Sequence, residues 1–222
     1  MAVSKQASEN KRKTGPGRPE GRSDSREQIL DAAERHFAEH GYAASSLREI
    51  ATDANVTQAM VNYYFGSKRK MFKEVYVRRG YWLAAQRMEL LERTTSKQRF
   101  SVEDIVRSYI SPPFQLRSTV QGRAFLRLQA RLHSESDEES FALRRQIYDR
   151  PVRAYVASLQ ALLPEKSKET LYLRFAQLIG IYLYILSDAH RVEQISGIKH
   201  LQLSADTFID EIVMFAAAGF RR

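Results

Sequence analysis

The chain contains no cysteine, which excludes disulfide frameworks, thiolate-ligated zinc, iron–sulfur clusters and thiol nucleophiles, and fits a reducing compartment. Long apolar runs are also missing. The best of them, Phe175 to Leu186, is 12 residues long, is interrupted by Gln177 and lies between Arg174 and Asp188. A bilayer needs roughly 18, so this segment reads as a buried helix and no membrane partner is expected. Met1 to Asn10 lacks the apolar stretch of a secretory signal, and a cytoplasmic location is expected. Acidic residues are in short supply, 26 against 35 Lys and Arg, for a formal charge of +9. That balance favours a polyanionic partner, although anionic membranes and acidic ligands also suit it. With 43% hydrophobic residues the 222-residue chain can bury a real core, so a wholly disordered protein is excluded.

Sustained alternation of apolar and polar residues and Asn-Gly hairpin signals are absent, while apolar residues recur at spacings of three and four from Arg26 onward. The expected fold is all-α. The spacing predicts helices over 26–40, 47–54, 58–65, 68–93, 102–111, 121–133, 137–162, 166–188 and 204–219. Gly41, Gly66, Pro112-Pro113, Pro164 and Gly197 are expected breaks between them, and Pro151 predicts a kink or break inside the seventh. Residues 1–25 are nearly devoid of large apolar side chains and read as a disordered basic tail, because they cannot offset the entropy of ordering. Within that tail Gly17-Arg18-Pro19 matches the core of an AT-hook, in which an extended arginine enters a minor groove; a solvated leader touching phosphates is the alternative for Arg18.

Three short helices at the front carry the clearest pattern. Ile29, Ala32, Ala33, His36 and Phe37 share a face of the first, and Gly41 is placed to cap it with positive φ. Ser46-Leu47-Arg48-Glu49 is a capping box opening the second. Asn55-Val56-Thr57 then makes a tight break: Asn accepts the left-handed conformation, Val56 can plug the core and Thr57 can cap the third helix. Two helices joined this way form a helix-turn-helix. With Val61 and Phe65 inward on the third helix, Gln58, Ala59, Met60, Asn62 and Tyr63 face outward. Gln and Asn suit adenine edges, Ala and Met suit a thymine methyl, and Tyr63 and Tyr64 can reach phosphates or stack. Lys68, Arg69 and Lys70 come next, where a new helix N-terminus favours a phosphate. The candidate DNA-contact set is therefore Ser46, Arg48, Thr57, Gln58, Ala59, Met60, Asn62, Tyr63, Tyr64 and Lys68, with Arg18 from the tail.

The order Ile29-Leu30-Asp31-Ala32-Ala33, Phe37-Ala38-Glu39-His40-Gly41-Tyr42, Ile50-Ala51 and Val61-Asn62-Tyr63-Tyr64-Phe65-Gly66-Ser67-Lys68 resembles the DNA-binding domain of the tetracycline-repressor (TetR) family of bacterial transcription regulators. Many members have Gly at the position of Asn55 and Tyr at the position of Asn62. The first departure is harmless because Asn accepts positive φ. The second replaces a residue that commonly contacts the DNA backbone in the family, leaving Asn62 to read a base or do nothing. The resemblance implies a DNA-binding domain over 26–72, then a helical domain over 73–222 that binds a small molecule and dimerises through its last two long helices. It also implies a dimeric repressor that reads a palindrome in double-stranded DNA. The apolar residues Leu178, Tyr182, Ile185, Phe208, Ile212 and Phe215 are the expected homodimer interface.

Between residues 100 and 160 every basic residue is Arg, with aromatics interleaved. A pocket containing Tyr109, Phe114, Arg127, Arg131, Tyr155 and Phe175, for an apolar effector with an acidic end, stands beside the plainer reading of a solvated basic face and an aromatic core. His36 and His40 have a spacing that can chelate metal, but His40 also suits a helix end. Asp188 and His190 accompany no nucleophile motif, and Glu135, Asp137, Glu138 and Glu139 read as a helix-start charge pattern. No P-loop or dinucleotide fingerprint occurs, so neither an enzyme nor a cofactor or metal is expected. The competing function is a structural or protein-regulated DNA-binding protein on the same fold with no small-molecule effector.

Overall fold

The computed structural model of the protein describes residues 21–134, 136–187, 191–198 and 204–222, and among these the regular structure is helical throughout. The elements are α1 (Gly21–Ala44), α2 (Leu47–Asp53), α3 (Gln58–Phe65), α4 (Lys68–Thr95), α5 (Val102–Leu116), α6 (Val120–Ser134), α7 (Glu138–Leu162), α8 (Lys168–Ser187), α9 (Arg191–Ser196) and α10 (Ala205–Arg221). Helices α1 to α3 form a small head. The long helix α4 runs from that head into the remaining bundle, packing against α1, α5 and α7, while α1 also meets α6 and α10 closes on α5.

Sequence and structure part company at several boundaries. Helix α1 starts at Gly21, because polar residues can continue a helix upstream without leaving an apolar signature. Its expected break at Gly41 is present as a residue at φ 80°, ψ 170° inside the helical run, a positive φ but not the αL cap conformation. The Pro112-Pro113 pair does not end α5, which continues to Leu116. Pro113 has no N–H for the Tyr109 carbonyl one turn earlier, and the buried Arg87 on α4 supplies a donor instead, its Nε lying 3.1 Å from that oxygen. The tertiary partner satisfies what the helix leaves open. Helix α7 likewise continues through the buried Pro151. The short helix α9 is an addition, with Gly197 after it at φ 67°.

One continuous core joins head and bundle. Ile29, Phe37, Ile50, Val61 and Phe65 fill the head, Met71, Val75, Tyr76 and Leu83 carry the core along α4, and Tyr109, Phe125, Tyr155, Phe175, Tyr182 and Phe220 fill the bundle. No helix among the described residues is long and apolar enough to cross a membrane.

Candidate nucleic-acid interface

Local hydrogen bonds fix the reading head. Ser46 precedes α2 in an extended conformation; its hydroxyl accepts from the Glu49 amide at 3.2 Å and donates to the Glu49 carboxylate at 2.7 Å. The bond from Ser46 holds the Glu49 carboxyl below its ordinary pKa. Asn55 takes φ 53°, the left-handed region, so the chain reverses within one residue. The Val56 amide then reaches the Ala51 carbonyl at 2.9 Å and its side chain packs on the core. Thr57 caps α3, its hydroxyl accepting from the Met60 amide at 3.2 Å. The three residues of the turn stand in the roles that their chemistry suggests.

On α3, Val61 and Phe65 are buried while Gln58, Ala59, Met60, Asn62 and Tyr63 face solvent. Tyr63 is 71% exposed, which intramolecular packing does not explain. Tyr64 is half-buried against the core with its ring 5.3 Å from that of Tyr63. Arg48 is exposed on α2. A short helix anchored by two side chains and carrying amide, thioether and phenol groups outward has the dimensions and chemistry of a major-groove reader.

The basic residues after Gly66 divide differently from the sequence expectation. Lys68 donates to the carbonyls of Ser45 at 2.9 Å and Ala43 at 3.2 Å and lies 4.6 Å from the centroid of the Tyr42 ring. It therefore ties the start of α4 to the turn before α2, in addition to any contact outside the chain. Arg69 is bound to Glu139 of α7. Lys70 is exposed and makes no ion pair among the described residues. Arg18 lies outside the described residues.

Residues 29–75 match the family model described as "Bacterial regulatory proteins, tetR family", and residues 107–219, slightly more than half of the chain, match "Tetracyclin repressor-like, C-terminal domain". The chain belongs to the TetR family. Members of this family are DNA-binding transcription factors and not enzymes. The chain is 33% identical over 52 residues to the "Probable acrEF/envCD operon repressor" of Escherichia coli strain K12, a match covering 23% of this chain and 24% of that protein. It is 39% identical over 64 residues to "HTH-type transcriptional repressor NicS" of Pseudomonas putida, covering 29% of this chain and 30% of that protein. These matches thus span less than a third of the curated relatives. A solved TetR-like transcriptional regulator from Rhodococcus sp. RHA1 superposes with a TM-score of 0.62 at 19% identity, covering 88% of this chain and 94% of the other.

The C-terminal domain of this TetR-family chain has an aromatic and polar centre. The Tyr109 ring lies 4.9 Å from Tyr155 and 4.6 Å from Phe175, so three of the expected pocket residues are together. Phe114 faces Phe208 instead, at 6.5 Å. Arg127 and Arg131 are exposed and lie off the inward face of α6, which is already filled by Phe125, Leu128 and Leu132. The basic residue at the centre is Arg87 of α4, completely buried, with its guanidinium 3.8 Å from the Tyr109 centroid and 5.3 Å from that of Tyr182. Among the described residues no carboxylate pairs with it, and its Nη2 has no partner, nor do Gln129 Oε1 and His133 Nε2 nearby on α6. Tyr148 connects this group, accepting from Gln129 Nε2 at 3.1 Å and from the Tyr76 hydroxyl at 3.1 Å. Burial, then Arg144 and Arg87, lowers the His133 pKa to about 4.

Arg87 was not among the expected site residues, although its signal is present in the sequence. It falls between Leu83 and Leu91 at helical spacing, a charge in the middle of an apolar stripe.

The expected dimer residues also divide. Leu178, Tyr182 and Ile212 are buried in the chain's own core, Ile185 and Phe208 are half-buried, and Phe215 is exposed. The stripe facing away from the chain is Leu173, Ala176, Gly180 and Tyr184 on α8 with Met214, Phe215 and Ala218 on α10. Both helices carry two apolar faces, and the more apolar one packs inward.

The remaining titratable clusters have local uses. His36 Nε2 bonds Asp53 across α1 and α2 at 2.7 Å, and among the described residues no group of three or more His, Asp or Glu could hold a metal. Asp137 caps α7 through Ser140, while Glu138 pairs with Arg145 and Glu139 with Arg69. Glu135, Asp188 and His190 lie outside the described residues.

Proposed function

We propose that this protein is a ligand-responsive transcriptional repressor that binds a palindromic operator as a homodimer in the cytoplasm. The observation that carries the reading is the outward face of α3, where Gln58, Ala59, Met60, Asn62 and Tyr63 are exposed while Val61 and Phe65 are buried as anchors. One such helix offers few base contacts. Two, held about one helical turn of DNA apart (roughly 34 Å), read an inverted repeat. Ser46, Arg48, Thr57, Tyr64 and Lys68 border this face and serve as backbone contacts, with Arg18 reaching phosphate or minor groove from the tail.

Dimerisation through α8 and α10 is supported by the exposed apolar residues Leu173, Tyr184, Met214 and Phe215, with Gly180 among them, since apolar side chains left exposed on two helices that pack together mark an interface. An effector with an apolar body and an acidic end is supported by Arg87, a buried cation that among the described residues pairs with no carboxylate and whose Nη2 has no hydrogen-bond partner. One observation favours a DNA-binding protein on this fold with no effector: Tyr109, Tyr155 and Phe175 fill the centre of the domain with mutual ring contacts.

Selection of bound fragments from random DNA by the full chain tests the proposal. Enrichment of an inverted repeat is expected, and enrichment of a single asymmetric half-site or of no sequence would overturn it.

A further inference from the structure

A cleft of about 500 Å3 lies where the head meets the bundle, between the end of α1 and helices α4, α6 and α7. Its walls are mostly apolar, with Tyr42 and Phe72 on the head side and Leu128, Leu132 and Leu143 on the bundle side. None of its lining residues belongs to the aromatic centre around Arg87. A volume of this size is typical of small-molecule sites, which bury an apolar body and orient it with a few polar groups.

The charges in the cleft are unequally satisfied. Both carboxylates are in use: Glu139 is bound to Arg69, and Asp137 accepts from the amide and hydroxyl of Ser140. Arg131 and Lys73 make no ion pair among the described residues, so the cleft presents net positive charge beside an apolar wall. The Arg131 guanidinium lies against Gly41, where the bare backbone leaves room beside the cleft.

We propose that this junction cleft binds an organic anion with an apolar body, whose ring or chain lies between Tyr42, Phe72 and Leu132 and whose charge meets Arg131 and Lys73. The site touches head and bundle at once. A ligand in it has a binding energy that depends on their relative position, which is the requirement for shifting one against the other.

The probes are 1-anilinonaphthalene-8-sulfonate, an aromatic monoanion that fluoresces when bound, and its uncharged counterpart N-phenyl-1-naphthylamine, each titrated into the full chain without DNA. Saturable binding of the sulfonate at one site per chain is expected. The dissociation constant should rise about tenfold for the uncharged compound and by a similar factor when Arg131→Gln and Lys73→Gln are combined. Equal binding of the two compounds to the unaltered protein, or sulfonate binding indifferent to the paired substitutions in a variant that still melts cooperatively, would overturn the proposal. Should the paired variant fail to fold, the comparison of the two probes on the unaltered chain decides. Operator binding is measured separately, so failure of the cleft is distinguishable from failure of the DNA-binding reading.

Discussion

The carboxylate of Glu34 on α1 accepts from Arg78 Nη2 on α4 at 2.6 Å, and Glu34 is completely buried at that contact. Arg79 Nε reaches the same carboxylate at 3.2 Å, and Arg78 continues to Asp31 at 2.8 Å and Glu27 at 2.9 Å. Burial raises the Glu34 pKa against the opposing pull of Arg79 and Arg78. The network fastens the reading head to the helix that enters the bundle.

Glu34→Ala leaves two arginines at a partly buried site with only surface carboxylates. The expected cost is about 2 kcal/mol, below the roughly 3–5 kcal/mol usual for removing one partner of a buried pair, because Arg78 keeps Asp31 and Glu27. Thermal or denaturant unfolding measures it, and a variant as stable as the parent would show that the clamp contributes nothing.

His133 supplies a pH signature. Its folded pKa, about 4, lies below the ordinary 6.5, so between those values the unfolded chain binds more protons than the folded one. The contribution is fully present above pH 6.5 and is lost as pH falls towards 4. From pH 7 to pH 5 this group should remove about 2 kcal/mol of stability. His133→Leu should flatten that part of the stability profile. An unchanged slope would mean that His133 is not held neutral by its surroundings.

Charge on the outward apolar stripe tests the dimer. Leu173→Glu combined with Phe215→Glu places carboxylates on α8 and α10 at side chains 63% and 71% exposed, so the single-chain fold should survive. Light scattering after size exclusion is expected to show a dimer for the parent and a monomer for the variant. A dimeric variant would relocate the interface.

The head was legible because its signals are local. Ser46 to Glu49, Asn55, and Thr57 to Met60 are hydrogen bonds and dihedral preferences within a few residues, and Val61 with Phe65 settles which side of α3 faces out. The bundle was less legible, for a physical reason visible at Pro113. A proline that would end an isolated helix is tolerated because Arg87, 26 positions earlier in the chain, donates to the carbonyl it leaves open. The same limit applies to α8 and α10, where sequence shows two apolar stripes and only packing shows that Leu178, Tyr182 and Ile212 belong inside. Composition alone groups Arg127 and Arg131 with Tyr109, whereas Arg131 lines the junction cleft and Arg127 faces outward from α6.

The most direct measurement is the affinity of the full chain for its selected operator by fluorescence anisotropy across a salt series, with and without Tyr63→Ala. Tyr63 is exposed and among the described residues makes no hydrogen bond that holds the head together, so its removal should leave the melting temperature unchanged. The parent should weaken with salt on a log–log slope near −0.9 per phosphate neutralised, and the variant should bind about tenfold or more weakly at every salt concentration. Equal affinity of the two proteins throughout the series would contradict the assignment of α3 as the helix that enters the groove.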